Sequence, residues 1–151
     1  MNENKIKPQQ LWDLYDISIN SAHELLIAHG FRFLQRIENL MLYQAHGEAF
    51  TLTEESGVVT NVQYKMRDEA VYDTCIKHAK QALNFETLFE KSEPSADIIR
   101  LDDERCTLVG MMIKGEGDYQ SLGITLLAKL PLPNPESRVE VVLQPPPGSS
   151  L

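Results

Sequence analysis

The sequence lacks the features that mark secreted, membrane-spanning and nucleic-acid-binding proteins. It has two cysteines, too few for the disulfide framework of a small secreted domain. No apolar run approaches the roughly 18 residues of a membrane span, and the opening stretch MNENKIKPQQ is too polar for a secretory signal. We therefore expect a cytoplasmic protein with reduced thiols and no membrane partner.

Clusters of basic residues are missing as well. The 14 lysines and arginines are scattered among 22 acidic residues, and the net charge is −8 at pH 7. A nucleic-acid-binding domain usually carries a basic patch or stripe, so we expect no nucleic-acid partner. An acidic surface is compatible with a protein partner.

The motifs of common catalytic and metal sites are also missing. The stretch HELLIAHG at 23–30 is similar to the zinc-protease motif H-E-x-x-H, but His23 and His29 are six residues apart, roughly 120° apart on a helical wheel. The tripeptide AHG occurs at 28–30 and again at 45–47, and histidine followed by glycine is typical of a helix C-terminus. We predict no catalytic residue, no metal site and no cofactor.

Three weaker signals have simple structural interpretations. Cys75 and His78 are spaced like a nucleophile and its base, but Cys75 lies on an apolar stripe and is expected to be buried. The glycines of KGEGDYQSLG precede a strand, whereas phosphate binding requires the start of a helix. The acidic turns DDE and GEGD could hold a divalent cation, but we interpret them as solvated turns.

Hydrophobic periodicity predicts an α+β domain over 1–144, followed by a flexible proline-rich tail at 145–151. The strand at 105–113 is apolar at both parities, so we expect it to be central and buried on both faces. The predicted helices cover 9–29, 31–45 and 69–91, and the predicted strands cover 50–53, 58–66, 97–101, 105–113, 121–130 and 139–143.

The resulting order, α-α-β-β-α-β-β-β-β, is typical of helices packed on an antiparallel sheet. From 31 to 130 the order resembles that of roadblock- and profilin-like domains, including the turn EESG between the first two strands and the long helix after them. The full order also resembles NTF2-like domains and, more loosely, PAS domains. These likenesses consist of element order alone, and the sequence indicates no internal repeat.

Two functions of different classes are compatible with this fold. The one we favour is a non-catalytic protein-interaction module, a dimeric adaptor, regulator or chaperone-like protein; small acidic α+β chaperones of secreted bacterial effectors are similar in size and charge. The alternative is an NTF2-like pocket protein that binds or converts a small ligand. The predicted interaction surface is Trp12, Tyr15, Ile17 and Ile27. The predicted pocket residues are Tyr15, His29, Tyr64 and Tyr119.

Overall fold

The computed structural model describes residues 8–45, 47–114 and 120–131. The predicted α+β class with an antiparallel sheet is confirmed, although no fold family is. The helices are α1 (Pro8–Asp13), α2 (Ile19–Ala28) and α3 (Glu69–Gln81). The strands are β1 (Arg32–Ile37), β2 (Leu40–Ala45), β3 (Glu48–Glu55), β4 (Val58–Met66), β5 (Glu86–Ser92), β6 (Ala96–Asp102), β7 (Cys106–Lys114) and β8 (Gln120–Ala128).

The eight strands form one antiparallel sheet in the order β1-β2-β3-β4-β8-β7-β6-β5. His23 of α2 hydrogen-bonds to Tyr43 of β2, and Tyr72 of α3 lies over Gly110 of β7. Tyr43 and Gly110 belong to one cross-strand row, so both helices lie on the same side of the sheet. We call this side the helix-covered face and the opposite side the helix-free face.

The core lies between the helices and the helix-covered face. The rings of Phe50 and Tyr64 stack with their centroids 4.4 Å apart, and the Tyr64 hydroxyl donates to Glu48 Oε1 at 2.8 Å. This packing joins β3 to β4 through aromatic surface, which contributes more per residue than smaller side chains do. The other large, fully buried side chains are Tyr43, Leu11, Leu14, Leu26, Leu52, Leu101, Leu108, Leu122, Ile124 and Leu126.

A pseudo-two-fold axis between β4 and β8 relates two α-β-β-β-β units, α2 with β1–β4 and α3 with β5–β8. After each helix the chain passes through a residue with positive φ, Gly30 or Asn84, and then through a buried phenylalanine, Phe31 or Phe85. The expectation that the chain has no internal repeat is therefore wrong at the level of structure.

The first strand of each unit lies at an edge of the sheet and contains a β-bulge at the same place. Leu34 is the extra residue in β1, and Leu88 is the extra residue in β5. A bulge bends and twists an edge strand, so the two edges have equivalent geometry and differ in their side chains.

After β8 the chain turns onto the helix-free face. The backbone N–H of Leu130 donates to Thr107 Oγ1, while the carbonyls of Leu130 and Pro131 accept hydrogen bonds from Arg100. Arg100 also donates two 2.9 Å hydrogen bonds to Asp102, which completes a buried bidentate ion pair. Burial raises the pKa of Asp102, but hydrogen bonds from Arg100 and Thr107 outweigh it, and the pKa lies below its usual value.

The single helix predicted at 9–29 is wrong, because the chain forms two separate helices there, α1 and α2. At Asp16 the backbone φ is 66°, and the chain then forms a short β-bridge to β4, in which Ile17 accepts from the Val59 N–H at 2.8 Å. Ser18 follows and caps α2, because its hydroxyl accepts from the Ser21 N–H.

The predicted helix at 31–45 is wrong, because this segment forms the hairpin of β1 and β2, with Glu38 at positive φ in its turn. The predicted helix at 69–91 ends at Gln81, and residues 86–91 belong to β5. The hairpin at 50–66 and the strands at 97–101, 105–113 and 121–130 are confirmed in position. The predicted strand at 139–143, the tail at 145–151 and the GEGDY turn lie outside the described residues.

The strand at 105–113 is interior to the sheet, as predicted, but only its first residues are buried on both faces. Thr107 is fully buried beneath Leu130, whereas Met111 and Ile113 are exposed on the helix-free face. The prediction of burial on both faces is wrong for this second half of β7, because in the described chain no element covers it.

Candidate functional site

The four residues of the predicted interaction surface lie in different environments. Ile27 is 45% exposed on α2, whereas Tyr15 and Ile17 are half-buried. Trp12 is in the core, with its ring centroid 5.6 Å from that of His78. Because the chain leaves the helix at Asp13, these residues do not share one helical stripe. Their role in binding stays a prediction.

The predicted pocket residues are also separated. Tyr64 is inside the core, and Tyr15 is half-buried at the other end of the sheet, where burial raises its pKa. His29 ends α2, with Nδ1 2.9 Å from the Leu25 carbonyl oxygen, so the cap predicted from AHG at 28–30 is confirmed. In the second AHG, Ala45 ends β2, so the helix cap predicted there is wrong, and His46 lies outside the described residues. Tyr119 lies outside the described residues.

Neither cysteine has the environment of a nucleophile. Cys75 and Cys106 are buried, and this burial raises the pKa of each thiol to about 12. The thiolate is the reactive species, so at neutral pH both thiols remain protonated. Nε2 of His78 lies 3.0 Å from Gln9 Oε1. This geometry supports the interpretation of Cys75 as a small core residue.

The acidic turn at 102–104 has a structural role. Asp103 Oδ1 accepts hydrogen bonds from the N–H groups of Arg105 and Cys106, which fixes the turn into β7. In the described ranges there is no group of three or more His, Cys, Asp or Glu side chains that could hold a metal ion.

The most unusual surface of the described chain is the outer edge of β1. All six residues of this strand are exposed, and Phe33, Leu34 and Ile37 are exposed by 41%, 47% and 47%. Among the described residues no strand pairs with this edge. Its outward backbone groups can therefore accept a further strand.

The edge is supported from the helix-covered face by an aromatic cluster. The Phe33 ring lies 5.7 Å from that of His23 and 5.4 Å from that of Tyr43, and His23 Nδ1 is 2.7 Å from the Tyr43 hydroxyl. Burial raises the pKa of Tyr43 to about 12, so the hydroxyl remains protonated and can donate to His23. Ile27 lies one turn beyond His23 on α2, which extends the apolar surface.

The equivalent edge strand, β5, presents charges instead. Glu86, Glu90 and Lys91 are exposed along it, and Glu93 follows, within 3.0 Å of Lys91. Charged side chains are a common means of preventing unwanted pairing at sheet edges. The two pseudo-equivalent edges therefore differ in degree: β1 exposes three large apolar side chains beside two arginines, whereas β5 exposes one, Phe89, among charges of both signs.

A groove of about 610 Å³ runs between α3 and the strands β5 and β6. Its floor includes Ile76, Ile99 and Tyr72, whose side chain is 6% exposed and whose hydroxyl has no hydrogen-bond partner among the described residues. Burial raises the pKa of Tyr72 to about 12. Lys77 and Lys80 stand along the helix wall, and the volume is in the range of ligand clefts.

No family model, curated protein or solved structure matches this chain. No helix in the described part is long and apolar enough to cross a membrane. The β1 edge was missed by sequence reasoning because the segment was predicted as a helix. The signal that could have found it is the dipeptide Glu38-Asn39, a polar turn between two short apolar runs.

Proposed function

We propose that this protein is a non-catalytic interaction module that binds an extended segment of a partner protein as an added strand on β1. The observation that carries the proposal is the exposure of Phe33, Leu34 and Ile37 on the β1 edge, compared with Phe89 alone on the more highly charged β5 edge. Natural sequences usually block apolar edges because they invite unwanted pairing. An edge that exposes more large apolar side chains than its equivalent is typical of a surface used for binding.

The side chains of β1 define the chemistry of the segment. Residues of an added strand would alternate between the two faces of the sheet. On the helix-covered face they would meet Phe33 and Ile27, which favours an apolar residue. On the helix-free face they would meet Arg32 at one end of β1 and Ile37 at the other, which favours an acidic residue at the first position and an apolar residue at the second. Backbone hydrogen bonds would add affinity that does not depend on sequence. Binding of this kind suits an adaptor or a chaperone-like protein.

The test selects peptides from a random display library on the immobilised protein and measures their affinity by fluorescence anisotropy. Leu34→Lys places a charge on the β1 edge, and Thr87→Lys is the matched control on the exposed β5 edge. We expect peptides of mainly apolar residues with an acidic residue at one end. They should bind Leu34→Lys about tenfold more weakly, a loss of ~1.4 kcal/mol, and bind Thr87→Lys unchanged. Amide exchange in β1 should slow in the complex. Selection without a consensus, or equal binding to Leu34→Lys, would contradict strand addition.

A second candidate function, binding of a small ligand, is favoured by the unpaired Tyr72 hydroxyl in the α3 groove. The groove joins an apolar floor to a rim of both charges, with Glu69, Asp73, Glu90 and Asp97 beside Lys77, Lys80 and Lys91, which suits a ligand with an apolar body and polar groups. Native mass spectrometry of the purified protein tests it. A bound small molecule that is lost from Tyr72→Phe would support it, and a ligand-free protein in both forms would argue against it.

A further inference from the structure

The middle of the helix-free face is nearly free of charge. Three cross-strand rows run over β2, β3, β4, β8 and β7 on this side, and Lys65 is the only charged residue in them. The rows are Gln44-Ala49-Lys65-Gly123-Met111, Leu42-Thr51-Gln63-Thr125-Val109 and Leu40-Thr53-Asn61-Leu127-Thr107. In a chain of which 24% is charged, three rows without an acidic residue have the composition of the centre of a protein interface.

The same face has a projection beside a hollow. Met111 and Ile113 of β7 are 37% and 43% exposed. Across from Met111 on β8 is Gly123, and the missing side chain leaves a hollow of about 210 Å³ bordered by Lys65, Ile113 and Thr125. A Cβ at position 123 would approach no atom closer than 3.8 Å, so the hollow is open space.

We propose that the helix-free face binds a second copy of this chain, with Met111 of each copy seated in the Gly123 hollow of the other. Because Met111 and Gly123 face each other across β7 and β8, a two-fold axis between them places each methionine opposite the other copy's glycine. A symmetric dimer requires this kind of self-complementary surface. The proposal uses a different surface from β1 and goes beyond strand addition.

Charge and area both favour a second copy as the occupant. Each copy has a net charge of −8, so most pairs of surfaces would bring acidic groups together, whereas these rows contain none. The five strands of these rows, at a spacing of ~4.8 Å and a rise of ~3.3 Å per residue, give a face roughly 24 Å by 20–30 Å. That face, about 500–700 Å², is most of the roughly 800 Å² that each partner contributes to a standard interface.

Sedimentation equilibrium of the full chain tests the proposal, with Gly123→Val as the main variant. Valine projects into the hollow, where its Cβ meets only the Tyr64 carbonyl oxygen, at an ordinary 3.8 Å. Valine also favours a strand more than glycine does, so the thermal midpoint should be unchanged or higher. We expect the wild type to be a dimer. The dissociation constant of the Gly123→Val dimer should be at least about tenfold higher. Thr125→Val is the matched control, because it alters the same strand and face at nearly constant volume, and it should remain dimeric.

Three outcomes would overturn the proposal. One is a wild-type protein that stays monomeric at every concentration, and another is a Gly123→Val variant that dimerises as well as the wild type. The third is a monomer whose Met111 methyl group is shielded from a paramagnetic cosolute, which would assign the face to another segment of the same chain. If no peptide bound at β1 while the dimer remained intact, only the proposal of strand addition would be contradicted.

Discussion

At the scale of single residues, Gly110 determines how closely α3 approaches the sheet. A Cβ built at this position would lie 2.6 Å from the Tyr72 hydroxyl oxygen, 3.0 Å from Ile99 Cγ2 and 3.1 Å from Ile76 Cδ1. We predict that Gly110→Ala destabilises the fold by ~1–3 kcal/mol, as overpacking of a core does. In a Tyr72→Phe background the cost should be smaller, because the nearest atom is gone. Urea unfolding of the four proteins measures this coupling, and equal costs in both backgrounds would show that the hydroxyl is not the obstacle.

The buried Arg100–Asp102 pair gives a pH-dependent prediction. The pKa of Asp102 is lower in the folded chain than in the unfolded chain, so the ionised carboxylate stabilises the fold above about pH 4, and this stability is lost as pH falls through the folded pKa. Asp102→Asn leaves the Arg100 charge buried without its partner and should cost ~3–5 kcal/mol at neutral pH.

Urea unfolding at pH 7 and pH 3 measures the effect of Asp102→Asn. The difference between wild type and variant should shrink at the lower pH, because at about pH 3 the Asp102 carboxyl of the unfolded wild-type chain is largely protonated, and this proton binding stabilises the unfolded state. Glu54→Gln is the control, since its ion pair with Arg36 is at the surface and should contribute far less. A difference for Asp102→Asn that is as large at pH 3 as at pH 7 would refute the assignment.

At the scale of elements, the ends of α2 and α3 make a matched pair. Gly30 has a φ of 86° and closes α2, with the Phe31 N–H bonded to the Leu26 carbonyl at 3.0 Å. Asn84 has a φ of 58° at the equivalent place after α3. We predict that Gly30→Ala costs ~1 kcal/mol, because alanine resists the left-handed conformation, which lowers the thermal midpoint by roughly 2–4 °C.

Asn84→Gly is the companion variant and should leave the midpoint nearly unchanged, because both residues tolerate positive φ. Differential scanning calorimetry measures both substitutions. A midpoint that is insensitive to Gly30→Ala would mean that the end of α2 can relax away from this conformation.

Two elements were mispredicted for one physical reason, the β-bulge. Strand prediction depends on strict alternation, and the extra residues Leu34 and Leu88 place two apolar side chains in succession, as FL in β1 and LF in β5. Such pairs, followed by apolar residues three and four positions later, fit a helical stripe. The hairpin at 50–66 alternates through most of its length, and its position was predicted correctly.

The candidate surfaces could be predicted only in part. The apolar run at 105–113 was recognised, but whether Met111 and Ile113 are buried or exposed depends on what lies over the helix-free face, and periodicity does not contain that information. The off-stripe position of Ile17 was a genuine signal, since this residue precedes α2: its carbonyl accepts from the Val59 N–H of β4, and its side chain packs against the core. Contacts between the two units, such as the pairing of β4 with β8, are not visible in local patterns.

At the scale of the whole molecule, the sheet has two pseudo-equivalent edges that differ in their side chains. Its two faces differ in what covers them. The helix-covered face is closed by two equivalent helices. The helix-free face is covered where Leu130 and Pro131 cross Arg100, and in the described chain it is bare over the middle strands. The edges also diverge, with three exposed large apolar side chains at β1 and one at the more highly charged β5. Function can therefore differ between the two units while their shared core stays the same.

The pairing of β4 with β8 also leads to a prediction about how the molecule unfolds. β4 and β8 join the two units, each is paired on both sides, and both pack against the helix-covered core. Separating them requires both units to unfold together, so their amides should exchange only through global unfolding. We predict by native-state hydrogen exchange that β4 and β8 have the slowest amides, with a free energy equal to that of global unfolding. The outer edges β1 and β5 should exchange orders of magnitude faster. The amides of β1–β4 could instead exchange together at one free energy and those of β5–β8 at another. That result would mean that the two units unfold independently and that the pairing of β4 with β8 does not couple them.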